Sequence, residues 1–138
     1  MTKYLPIETE HGTLKGRDAI FLDEYSSKDN GDLTLKGEIS CSLASNKPKG
    51  KWCPYTLVFH RVLAVKITEL DTFEFLQSQS GWIESSFCEV IDSNWKSSLI
   101  GSTSKVNDEH SVFIIQTYDL VFELVCESYS LEYGLPRG

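Results

Sequence analysis

A mainly β (β-rich α+β) fold is predicted for this 138-residue chain. Its expected form is a single antiparallel barrel, half-barrel or sandwich of about six to seven strands, with one or two short helices. Three observations predict it. Leu33, Leu35, Gly37, Ile39, Cys41 and Leu43 alternate with Thr34, Lys36, Glu38, Ser40 and Ser42, one face apolar and the other wet. Residues 55 to 67 form a long β-branched, apolar run. Helix signals, by contrast, are few and short.

Taken in order, residues 18 to 25 read as a strand, and Lys28-Asp29-Asn30-Gly31-Asp32 joins it to the alternating segment. Asn-Gly can take positive φ at both central turn positions, so a hairpin is expected here. In the run from 55 to 67, Leu57, Phe59, Leu63, Val65 and Ile67 share one face, interrupted by Arg61, and Val58, His60, Val62 and Ala64 the other. Apolar content on both faces predicts a central strand, or one covered on both sides. Its length exceeds that of an ordinary strand, so a bulge or bend is expected near His60-Arg61. Asp71-Thr72-Phe73-Glu74 carries a capping residue with Glu three positions on, and starts a helix of about two turns that Gly81 can end. Ser93-Asn94-Trp95 starts a second single turn through Leu99, ended by Gly101, with a strand from Trp82 to Ile91 between the two. Gly101 to Glu109 is a polar loop. Ser111–Thr117 and Leu120–Ser128 flank Tyr118-Asp119 as a hairpin, with Phe122, Leu124 and Cys126 inward and Glu123 and Glu127 outward beside Val121 and Val125. The tail from Tyr129 to Tyr133 extends that strand. No repeat or linker divides the chain, so residues 1–138 are read as one globular domain.

The composition is that of a globular protein, 41% hydrophobic and 24% charged, which excludes disordered or fibrous classes. Thirteen basic and twenty acidic residues give a formal charge of −7. The balance is lopsided: residues 1–66 hold ten basic and eight acidic groups, whereas residues 67–138 hold three basic and twelve acidic. Nucleic acid is held mainly through phosphates by Lys and Arg. The best basic stretch, Lys47-Pro48-Lys49-Gly50-Lys51-Trp52, reads as a solvated loop, and no nucleic-acid partner is expected. An acidic half suits a basic protein partner instead.

Cys41, Cys53, Cys88 and Cys126 are spaced by 12, 35 and 38 residues with no CxxC pair, so no metal knuckle is expected. The segment Met1 to Glu8 has neither an apolar run nor a small-residue cleavage site, and no stretch of about eighteen apolar residues occurs. The expectation is a cytoplasmic protein with reduced, buried thiols, no membrane association and no cofactor. His11, His60 and His110 make no HExxH or i, i+4 pair, and the Asp29–Asp32 run lacks the alternating ligands and terminal Glu of a calcium loop. GxGxxG, GxxxxGK and GxSxG are absent. No catalytic residue and no metal ligand is assigned.

What remains is surface. Trp and Tyr bury large area with a polar handle and so serve as binding anchors. The leading expectation is a non-catalytic binding protein, acting through a protein–protein surface on the acidic C-terminal half. Asp108, Glu109, Asp119, Glu123 and Glu127 would supply charge, with Trp95 or Trp82 as anchor. A toxin-neutralising, immunity-type role against a basic nuclease toxin fits this type of chain. The alternative is a small-molecule-binding β-barrel, with a ligand near Trp52, His60 and Arg61, because a polar pair in an apolar run demands a partner. A thiol-dependent enzyme ranks last, since apolar burial raises a thiol's pKa.

Overall fold

The computed structural model describes residues 2–77 and 83–138. Its strands are β1 (Lys3–Pro6), β2 (Ile20–Ser27), β3 (Leu33–Ser40), β4 (Trp52–His60), β5 (Ala64–Glu69), β6 (Phe87–Ile91), β7 (Ser111–Gln116), β8 (Leu120–Cys126) and β9 (Ser128–Tyr133). The helices are α1 (Leu70–Gln77) and α2 (Asn94–Ser102), with a 3-10 turn at Cys41–Leu43. Two antiparallel sheets result. One has the order β1-β6-β7-β8-β5 and the other β2-β3-β4-β9. The architecture is a sandwich bent at one edge, and no barrel closes.

Alternation is what makes the four-stranded sheet. Leu33, Leu35, Gly37 and Ile39 on β3, and Cys53, Tyr55, Leu57 and Phe59 on β4, are buried against the other sheet, while their neighbours face solvent. The five-stranded sheet answers with Phe87, Phe113, Ile115, Phe122, Leu124 and Cys126. Rings from both sheets meet in the middle: Phe59 lies 6.2 Å from Phe87 and 5.9 Å from Phe113, and Tyr129 lies 5.3 Å and 5.1 Å from the same pair. Tilted and edge-on pairs of this kind add about 0.5–1.5 kcal/mol each beyond their area burial.

The bend expected near His60-Arg61 is present, and it defines the fold. The 55–67 run divides there into β4 and β5, which belong to different sheets. The C-terminal strand divides opposite it, at Glu127, into β8 and β9. The two breaks face each other, so the ladder continues around the corner: Glu127 N–H donates to the His60 carbonyl (3.0 Å) and Leu63 N–H to that of Val125 (2.8 Å). Strands that switch sheets at such corners join sandwiches whose layers cross steeply. The corner also regroups side chains. Val62 joins the inter-sheet core, Leu63 and Ala64 pack on the opposite side, and Val65 and Ile67 lie half-exposed at the sheet edge. The interruption expected at Arg61 in the Leu57–Ile67 face is therefore where the run changes sheets.

The β2–β3 hairpin braces this corner. Its turn takes positive φ at Gly31 (90°) but not at Asn30, so it is a turn with a glycine bulge rather than a two-residue Asn-Gly turn. Asn30 Oδ1 accepts from Asp32 N–H (3.0 Å), which presents the Asp32 carboxylate. That carboxylate accepts from Arg61 N–H (3.1 Å) and lies 3.5 Å from His60 Nδ1. The Arg61 amide, with lesser help from His60, holds the Asp32 carboxyl below the usual carboxylate range.

Other local expectations shift for identifiable reasons. Nine strands are present among the described residues rather than six or seven, because two long strands divide at the corner and the edge strand β1 is too short and polar to read. Cys41 is buried in the 3-10 turn, not on β3. The α1 cap is Glu69, whose carboxylate accepts from Asp71 N–H and Thr72 N–H (both 2.9 Å). Helix α2 has Ser93 as its cap and runs through Gly101 to Ser102. Ile83 to Ser86 are not part of a strand, which begins at Phe87. Trp82 and Gly81 lie outside the described residues.

Gly37 faces a bulge in β2, where Asp23 is extra between Leu22 and Glu24. The Phe21 carbonyl, which accepts from the Tyr55 hydroxyl (3.0 Å), occupies the place of a Gly37 Cβ. Gly37→Ala should therefore destabilise the protein by about 1–3 kcal/mol, read as a lower urea midpoint at unchanged slope. Because the folded pKa of Asp32 is depressed, its contribution is present above the unfolded value and lost as the pH falls through the folded one. Asp32→Asn should lower the melting temperature near neutral pH, and the difference from wild type should shrink below about pH 4.

Candidate partner-binding site

The outer face of the five-stranded sheet carries both helices. Leu70 and Phe73 of α1 cover Cys88, Ile114 and Val121. Trp95 and Leu99 of α2, with Val106, cover Val112 and Val125. On β8 the outward residues are thus Val121, Glu123 and Val125, and the two valines are buried under different helices. Glu123 stands between them.

A cleft of about 540 Å³ opens at this gap, lined by Thr2, Tyr4, Val90, Trp95, Val112 and Glu123 among others. Ser93 holds the start of α2 against it, its Oγ accepting from Lys96 N–H (3.1 Å). Trp95 is half-buried, and the Lys66 ammonium from β5 sits over its ring, 4.3 Å from the centroid. Lys66 is the register partner of Glu123 across β5–β8. Burial raises the Glu123 carboxyl above the usual range, a shift that the Lys66 charge opposes. Among the described residues Glu123 has no hydrogen-bond or salt-bridge partner.

A second cleft, about 330 Å³, lies on the other flank of α2 and shares Val90, Ser93 and Val112 with the first. Glu89, Asp92, Asp108 and Glu109 line it, with Lys96 and His110. Lys96 Nζ donates to the Asp108 carbonyl (3.1 Å), and His110 Nδ1 accepts from Asn107 N–H (3.1 Å). The two clefts form one acidic groove around α2.

The residues singled out from the sequence are distributed unevenly. Trp95 and Glu123 share the first cleft, and Asp108 and Glu109 line the second. Asp119 and Glu127 lie beyond opposite ends of β8, the first exposed in the β7–β8 turn and the second beside Arg61 at the corner (3.8 Å). They do not join the groove. Trp52 begins β4 and His60 ends it, about 26 Å apart for an extended strand. Trp52 packs edge-on against Phe21 (5.3 Å), while His60 Nε2 meets Ser130 Oγ (3.0 Å). Trp52, His60 and Arg61 therefore do not converge. The space between the sheets closes to a void of about 10 Å³, no more than one water.

Tyr4 and Lys66 were not anticipated. Tyr4 lies on the unread strand β1. The sequence does hold one sign of the groove: Val121 and Val125 beside Glu123 make β8 apolar on both faces, so something must cover the outer one.

All four cysteines are free and buried. Cys53 Sγ lies 3.6 Å from His11 Nε2, a couple that spacing alone does not reveal. Burial nevertheless pushes the Cys53 and Cys88 thiols up, and Cys126 to about 12, the opposite of an activated nucleophile. Among the described residues no three His, Cys, Asp or Glu side chains gather as metal ligands, and no helix is long and apolar enough to cross a membrane. No family model, curated protein or solved structure matches this chain.

The raised carboxyl sets the sign of a stability test. A group whose folded pKa lies above its unfolded value stabilises the fold only while protonated, and that contribution is lost as pH rises through the folded value. Glu123→Gln should therefore melt a few degrees above wild type at neutral pH in calorimetry. The gap should close below about pH 4, where free Glu is protonated too.

Proposed function

We propose that this protein is a non-catalytic binding protein that recognises a basic protein partner through the acidic groove around α2. One observation carries the reading. Glu89, Asp92, Asp108, Glu109 and Glu123 flank a single helix, and among the described residues none of their carboxylates has a salt bridge. Other carboxylates of the same half are already matched: Asp71 and Glu74 by Arg17 (2.8 and 3.2 Å), Glu127 by Arg61, and Glu69 by the amides it caps. Of the remaining carboxylates of this half, which have no salt bridge among the described residues, those five gather where Trp95 offers an aromatic anchor, while Glu84, Asp119 and Glu132 lie outside the groove.

Such a groove steers a cationic surface toward it and holds it through charge-assisted hydrogen bonds. A nuclease toxin is one partner of this chemistry, since carboxylates can fill a site built for phosphates. A toxin-neutralising, immunity-type role is the biological form the proposal takes.

The test begins with capture by the intact protein from the cells that express it, followed by native mass spectrometry and kinetics with the purified partner. The expected partner is basic, binds at fixed stoichiometry, and associates at least about tenfold more slowly with the double variant Asp108→Lys, Glu109→Lys at low salt, a difference that added salt suppresses. A partner bound equally fast by the double variant would sink the proposal. So would a bound mass of a few hundred daltons in place of a protein.

A further inference from the structure

We infer that the Trp95–Glu123 cleft is a receptor for an alkylammonium group, a lysine side chain of the protein partner, and that Lys66 is its resident competitor. The inference rests on the partner-binding reading and deepens it. The cleft offers apolar walls, Val90, Val112 and the rings of Tyr4 and Trp95, along which a four-carbon stem can lie. At its side stands the Glu123 carboxylate, half-buried, partly desolvated and without a hydrogen-bond donor among the described residues. A half-buried carboxylate in that condition rewards a ligand that brings both charge and N–H groups.

The protein itself supplies an example of the group that fits. Lys66 Nζ is centred 4.3 Å over the Trp95 ring, within the range of a cation–π contact. Yet Lys66 makes no salt bridge with Glu123, although the two are register partners. The ring is in direct contact, whereas the carboxylate feels the Lys66 charge only at longer range, with no hydrogen bond or salt bridge. An ammonium entering from solvent meets both groups at once, and it must displace Lys66 from the ring or bear its repulsion. Lys66 thus lowers the affinity of the cleft and sets a threshold that weakly cationic partners do not cross.

The probe is the acetyl-Gly-Lys-Gly-amide peptide, with the Gln peptide as control, titrated into full-length protein carrying ¹⁵N-labelled tryptophan. The readout is the Trp95 indole N–H resonance. The lysyl peptide should shift it saturably and the glutaminyl peptide should not. Lys66→Met, which keeps the stem and removes the charge, should tighten binding about two- to fivefold, the equivalent of an exposed cation–π contact. Glu123→Gln, of the same shape, should weaken it by a similar factor or more. Unchanged or weaker binding to Lys66→Met would overturn the competitor role, and an equal shift in Glu123→Gln would overturn the receptor.

The titration needs no partner, so its failure leaves the groove proposal to its own test. Conversely, a saturable response to the lysyl peptide beside an absent protein partner would overturn the partner as the source of the lysine while keeping an ammonium site.

Discussion

The corner at Arg61 and Glu127 is the constraint on which the rest of the molecule depends. Both strands of one long antiparallel pair bend there together, so a single ladder belongs to two sheets. Arg61 takes a left-handed conformation, φ 52°, which for a residue with a Cβ costs about 1–2 kcal/mol. Such a residue persists only where its surroundings over-determine it. Here they do. Gly31 accepts from Val62 N–H, Asp32 accepts from Arg61 N–H, and His60 leans on the same carboxylate. The tip of one hairpin thereby fixes the bend of another, and the bend fixes which face of β8 looks inward.

That choice of face leads directly to the groove. With Phe122, Leu124 and Cys126 committed to the inter-sheet core, Val121, Glu123 and Val125 must point outward. Two valines there require cover, and a carboxylate between them forbids it, since enclosing an unpaired charge costs far more than burying a valine gains. The chain meets both demands with two short helices. One covers Val121 and the other Val125, and they leave Glu123 at an open gap. The cleft is thus the consequence of one charged residue set in an otherwise apolar outer face, and its mixed lining of rings, valines and a carboxylate follows from the same cause.

What could be read from the sequence divides along the same line. Features fixed by neighbours in the chain were legible: the alternation of β3, the 28–32 turn, the β7–β8 hairpin, and the bend in a run too long for one strand. The choice of Trp95 and Glu123 as binding residues came from residue type and charge; their sharing one cleft was not readable, because they lie 28 positions apart and meet only through the fold of α2 over the sheet. The same limit separated Asp119 and Glu127 from the site. Four-residue spacing on one strand face aligns Glu127 with Glu123 in sequence, but the strand ends at Cys126 and the corner carries Glu127 away. Capping by Glu69 is hard to read because the preferred capping residues are shorter, and the Asp71-Glu74 pattern offers a more familiar signal two residues too late.

Affinity and rate have separate origins in such a groove. Carboxylates at its rim act at a distance, raising the encounter rate with a cationic surface, and they lose that effect in salt. The apolar floor acts only at contact and governs how long a complex lasts. Glu123 belongs to both parts: it adds to the negative field, yet it sits low enough to be desolvated and so rewards only a ligand that reaches it. A diffuse cationic surface would satisfy the rim at Asp92, Asp108 and Glu109 and leave Glu123 unmatched. A projecting, flexible cation with an apolar stem would satisfy both. The combination distinguishes partners by shape as well as charge, which an acidic patch on an open surface does not.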